Sequence, residues 1–114
     1  MLILAFGSHS DPHAWEMSDK LKDDGFNTKK SDNPQDILNL RGEVVILDVV
    51  KGLDKPAFIT IKQLKSRKLF TAHDFDVGFF LKMLDESGMI DNLRIIGIPE
   101  EWDEEAVKEV KKLL

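Results

Sequence analysis

The strongest constraint on the fold is a set of short apolar runs, each closed by a glycine, a proline or an acidic residue. These runs are Leu2–Phe6, closed by Gly7; Val44–Leu47, closed by Asp48; and Leu93–Ile98, which is apolar apart from Arg94 and is closed by Pro99. Runs of this length without polar alternation are typical of strands that are buried on both faces, as in a parallel sheet. The sequence therefore predicts a parallel sheet in which Val44–Leu47 is the central strand and ends at Asp48.

Helical patterns separate these strands. Asp11 followed by Pro12 predicts a helix start, because Asp accepts hydrogen bonds from first-turn amides and Pro loses none at the first helical position. Further helices are expected to begin at Asp76 and near Asp103. Strands that alternate with helices predict one α/β domain over residues 1–114, a three-layer α/β/α sandwich around a mostly parallel sheet.

Weaker signals fill the remaining segments. A short strand is expected in residues 26–29, and one or two strands in residues 57–70, which are rich in apolar residues at both ends. Asn33 followed by Pro34 predicts the start of a short helical turn.

Composition excludes several classes of function. The 21 acidic and 16 basic residues leave a formal charge of -5, the wrong sign for a protein that neutralises phosphates, so no nucleic-acid partner is expected. The absence of cysteine removes disulfides, thiolate metal sites and cysteine nucleophiles. No apolar run reaches the roughly 18 residues of a membrane span, so the sequence predicts a cytoplasmic protein. No glycine-rich phosphate-binding motif indicates a nucleotide site.

Three polar residues follow or end predicted strands. In a parallel sheet the ligand site lies at the carboxyl ends of the strands, which is where Asp11, Asp48 and His73 are expected. Two carboxylates and one imidazole suit zinc or nickel. His9 and His13, in the same loop as Asp11, are alternative ligands. The ordinary alternatives also stay open: a helix cap for Asp11, and loop positions for Asp48 and the histidines.

The order of these signals resembles that of the nickel-iron hydrogenase maturation endopeptidases, which trim the C-terminal tail of the hydrogenase large subunit. In that family a first strand ends in glycine and an acidic residue follows, a strand of the type Val-Val-Ile-Val-Asp-Ala comes next, and a metal-site His precedes a helix and a strand ending in Ile-Gly-Ile-x-Pro. The matching segments here are Leu2–Gly7 with Asp11, Val44–Val49, His73 with Phe79–Leu84, and Arg94–Pro99. The resemblance runs through most of the chain.

The resemblance implies a hydrogenase maturation protease-like fold and a nickel-dependent endopeptidase. It makes Asp11, Asp48 and His73 the metal and catalytic positions. The nickel would be carried by the substrate, with zinc as the other option, and the partner would be the hydrogenase large-subunit precursor. An open cleft beside the first helix, around Trp15 and Glu16, would receive a chain terminus. A second function stays open: a catalytically degenerate relative that acts as a metal-sensing or protein-binding subunit.

Overall fold

The computed structural model describes residues 1–60, 63, 70–71 and 93–114 of the chain. The strands within this part are β1 (Leu2–Phe6), β2 (Thr28–Ser31), β3 (Val44–Lys51), β4 (Ala57–Ile59), β5 (Phe70–Thr71) and β6 (Leu93–Ile98). The α-helices are α1 (His13–Asp23) and α2 (Glu104–Leu113), and a 3₁₀-helix spans Pro34–Asn39. Together they form a compact α/β fold.

The sheet has the strand order β2-β1-β3-β6-β4. The first four strands are parallel, β4 runs antiparallel to β6, and β5 pairs antiparallel with the last residues of β3. The prediction of a mostly parallel sheet with the Val44 run at its centre is therefore confirmed. All four parallel strands end at one edge, which we call the carboxyl edge.

Both faces of the sheet are buried, which explains why the strand sequences show no polar alternation. One face packs against α1 and α2 through residues such as Leu47, Met17 and Val107. The other face packs against the 3₁₀-helix through Ile37 and Leu40. The helix predicted from Asp76 lies outside the described residues.

The central strand is longer than the sequence predicted. It continues through Asp48 to Lys51, so Asp48 lies within the strand rather than at its end. Asp is unfavourable in strands, which is why it was interpreted as a stop. The strand continues because Val49 and Val50 are buried and paired: Val49 lies opposite Ile98 of β6, and Val50 is paired with β5.

The start of α1 also differs from the prediction. The helix begins at His13, Pro12 occupies the N-cap position, and no described side chain caps the first turn. Asp11 is therefore not the helix cap. The last helix behaves as expected, because the Asp103 side chain accepts a hydrogen bond of 3.1 Å from the Ala106 amide at the start of α2.

The weaker signals are mostly confirmed. The short strand expected in residues 26–29 forms two residues later, as β2, and two strands occur within or next to residues 57–70. The helical turn begins at Pro34, and the Asn33 side chain accepts from the Gln35 amide at 3.0 Å.

In the part of the chain that the structure describes, no helix is long and apolar enough to cross a membrane.

Candidate functional site

The loop that leaves β1 at the carboxyl edge is held in a tight turn by its own backbone. Ser8 and Asp11 exchange two backbone hydrogen bonds of 3.1 Å each, and the Asp11 amide also lies 3.1 Å from the Ser8 hydroxyl oxygen. We call residues 7–11 the Asp11 loop. Because the backbone of Asp11 is fixed by Ser8, the loop does not depend on the Asp11 carboxylate for its shape.

The Asp11 carboxylate has an unsatisfied oxygen. Its Oδ1 is buried and accepts no hydrogen bond from any described residue, although the side chain as a whole keeps 23% of its exposure. The His13 Nε2 lies 3.8 Å from this oxygen, which is too far for a hydrogen bond. Burying such a group without a partner costs about 1–3 kcal/mol, and folded proteins rarely leave one in place without a reason. An oxygen of this kind is a candidate ligand atom.

Of the two histidines near Asp11, His9 packs against Trp15, and His13 lies between the Asp11 and Glu16 carboxylates. The His9 ring packs edge-on against the Trp15 ring, with centroids 5.6 Å apart. His13 is about half exposed, and its Nδ1 lies 3.8 Å from the Glu16 carboxylate. Among the residues that the structure describes, no three His, Asp or Glu side chains are arranged to hold a metal ion together. His9, Asp11 and His13 are thus not a ready-made set of ligands.

Asp48 is a carboxylate in the middle of the sheet. It is 2% exposed, and it lies opposite Gly97 of β6. Since Leu47 lies opposite Ala5, Asp48 is level with the last residue of β1. Aspartate is seldom buried in this way. Asp48 is thus one residue short of Gly7, where the Asp11 loop begins on the neighbouring strand, and β3 itself continues for three more residues to Lys51.

Packing beside Asp48 is close on the β6 side. A Cβ atom at Gly97 would lie 2.8 Å from the Val50 Cγ2 and 2.9 Å from the Leu53 Cδ1. Glycine at this position therefore lets the segment after β3 fold directly over β6. This glycine belongs to the Arg94–Pro99 segment that carries the family resemblance, and the structure provides a packing reason for it.

His73 lies outside the described residues. The last described residue before it in the sequence is Thr71 of β5, which pairs with Val50. Val50 is two positions beyond Asp48 on β3. Thr71 therefore lies near Asp48.

Trp15 was expected only to line a cleft, and its hydrogen bonds have no signal in the sequence. Its indole Nε1 donates to the Ala5 and Ser31 carbonyl oxygens, each at 3.2 Å. These two oxygens belong to β1 and β2 at the carboxyl edge. A single aromatic residue in the first turn of a helix is more often a packing residue, so spacing alone does not reveal this contact.

Comparison with protein-family models, curated proteins and solved structures finds no match to this chain.

Proposed function

We propose that this chain is a maturation-type endopeptidase that removes the C-terminal tail of a nickel-containing hydrogenase large subunit. Asp11, Asp48 and His73 recognise the nickel carried by that precursor. The observation that carries the proposal is the buried Oδ1 atom of Asp11, which has no hydrogen-bond partner among the described residues. The motif resemblance supplies the reaction and the partner.

The residues fit a borderline divalent metal. Carboxylate and imidazole ligands suit nickel and zinc, and an unpartnered buried carboxylate oxygen is stabilised when it gains a cation. When nickel is bound, it supplies Lewis-acid polarisation of a peptide carbonyl. The isolated chain would bind the metal weakly, and the docked precursor would supply the remaining ligands of its own nickel.

In this proposal Asp48 orients the bound group, and Asp11 accepts a proton. Asp48 is fixed by strands on both sides and orients whatever binds at the carboxyl edge. Asp11 is partly exposed on a loop, so its carboxylate is able to reach a docked peptide and accept a proton from an attacking water. His73 would contribute the nitrogen ligand, which binds a metal when the imidazole is neutral.

The proposal includes a three-layer fold of the hydrogenase maturation protease type. Its support is the burial of Ile46 and Val50, which lie on the sheet face opposite α1 and α2. Apolar residues on both faces of a parallel sheet are normally covered by helices on both sides. The helix predicted from Asp76 would supply the third layer.

The direct test is incubation with a nickel-loaded large-subunit precursor from the same organism, followed by intact-mass measurement. The wild-type chain is expected to shorten the precursor, whereas Asp11→Asn and Asp48→Asn are expected to leave it at full length. Asp19→Asn is the matched control, because Asp19 is an exposed aspartate of α1 that pairs with Lys30.

Two other results would contradict the peptidase. A wild-type chain that binds the precursor without shortening it would favour the degenerate, protein-binding relative. A chain that neither binds nor shortens the precursor would reject both functions.

A further inference from the structure

We propose that Trp15 is a positioning residue that holds the Asp11 loop in the geometry needed to present the Asp11 carboxylate. The role of that carboxylate in metal recognition rests on the proposed function. The contact of Trp15 with the loop does not. The inference follows from three sets of contacts around the indole ring.

The first set is polar. The Trp15 Nε1 donates to the Ala5 carbonyl of β1 and to the Ser31 carbonyl of β2. The Ser31 carbonyl also accepts a hydrogen bond of 2.9 Å from the Gly7 amide, which begins the loop. The indole N–H therefore joins the ends of two strands at the atom that anchors the loop.

The second set is steric. A Cβ atom at Gly7 would lie 2.9 Å from both Cδ1 and Nε1 of Trp15. The indole is thus packed flat against the backbone of Gly7, in space that only glycine leaves open. Its ring also meets the edge of the His9 ring, so Trp15 contacts the Asp11 loop at two residues.

These contacts matter for Asp11 because its Oδ1 atom accepts no hydrogen bond from the described residues. Apart from the His13 Nε2 atom 3.8 Å from Oδ1, the direction of the carboxylate depends on the backbone of the loop. That backbone depends on the Ser8 and Asp11 pairing, on the Gly7 amide bond to Ser31, and on the indole packed against Gly7. Loss of the indole N–H removes the two hydrogen bonds that hold the ring at Ala5 and Ser31, and so loosens the packing of the ring on Gly7, while the core of α1, built on Met17 and Leu21, stays in place.

The test uses Trp15→Phe, which keeps an aromatic ring but removes the N–H donor, and Gly7→Ala, which keeps the donor but displaces the ring. Val107→Ala is the control, since Val107 is a buried core residue of α2, and its truncation lowers the stability of the whole fold. Metal-free amide exchange is measured at Ser8 and Asp11, with Leu47 as the reference for the core. Nickel affinity is measured by calorimetry.

Both loop variants are expected to speed exchange at Ser8 and Asp11 by about tenfold and to leave Leu47 protected, because the loop loses a local restraint. Nickel affinity is expected to fall by about tenfold, as for other residues that orient a metal ligand. Val107→Ala should not speed exchange at Ser8 and Asp11 more than at Leu47, and it should leave the nickel affinity unchanged.

Unchanged exchange at Ser8 and Asp11 in both loop variants would overturn the inference. So would equal acceleration in Val107→Ala, because Trp15 would then act only on global stability. If the wild-type chain fails to bind nickel, the proposed function fails, and the exchange measurement still decides whether Trp15 holds the loop.

Discussion

At the residue scale, Asp11 and Asp103 both precede helices, but only Asp103 caps one. The Asp103 side chain accepts a hydrogen bond from the first turn of α2, whereas the first turn of α1 has no cap from a described side chain. Both residues look like helix caps in the sequence, and only the structure separates them. The difference arises because the Asp11 backbone is hydrogen-bonded to Ser8 in a tight turn before the helix begins.

This difference predicts opposite effects of two matched substitutions. Asp103→Ala is expected to lower the free energy of unfolding by about 1 kcal/mol, because it removes a helix cap. Asp11→Ala is expected to leave stability unchanged or to raise it by up to about 1 kcal/mol, because it removes a buried acceptor that has no described partner. Urea denaturation of both variants measures the two changes. A loss at Asp11→Ala as large as that at Asp103→Ala would mean that the Asp11 carboxylate has a structural role.

At the element scale, the order and type of the described elements followed from the sequence, while two boundaries did not. Apolar runs identified β1, β3 and β6, and acidic residues next to helical patterns identified α1 and α2. The end of β3 was placed three residues too early, because local propensity at Asp48 was outweighed by pairing with strands distant in the sequence.

Thr60 and Gln63 carry a further helix signal in their spacing. The Thr60 amide donates to the Gln63 side chain at 2.7 Å, and the Gln63 amide donates to the Thr60 hydroxyl at 3.1 Å. This reciprocal pair is a capping box, which marks a helix N-terminus by a Thr followed three residues later by Gln.

The contact between α1 and α2 predicts a pH effect. The Glu104 carboxylate accepts a hydrogen bond from the Lys20 ammonium and attracts its charge, and both effects raise the pKa of Lys20 above 10.5. A raised pKa in the folded state means that the pair stabilises the fold below about pH 10, and that this contribution is lost as the pH rises through the folded-state pKa.

Glu104→Gln is therefore expected to lower the pKa of Lys20, as measured by NMR titration of its side chain. Glu105→Gln is the control, because the Glu105 carboxylate lies 3.9 Å from Lys108 instead. A pKa of Lys20 that stays the same in Glu104→Gln would show that the pair does not form in solution.

At the scale of the whole molecule, the parallel sheet determines where chemistry is possible. Parallel pairing places the end of β1, where the Asp11 loop begins, level with Asp48 on β3, and the pairing of these two apolar runs was predictable. The meeting of Asp11 and Asp48 in one site stays a prediction. The unpartnered Oδ1 atom of Asp11 was not predictable, because it depends on the exact geometry of the loop. The packing of Trp15 on Gly7 was not predictable either, because it depends on how α1 lies against the end of β1. His73 remains a prediction.

The central claim is that Asp11, Asp48 and His73 recognise one metal ion, and calorimetric titration of nickel into the isolated chain tests it most directly. The wild-type chain is expected to bind weakly, and His73→Ala and Asp11→Asn are expected to lose that binding, because each removes a ligand. His9→Ala and His13→Ala are matched controls that should retain it. Unchanged affinity in His73→Ala, with loss in His9→Ala or His13→Ala, would contradict the claim and place the ligands in the Asp11 loop and the start of α1.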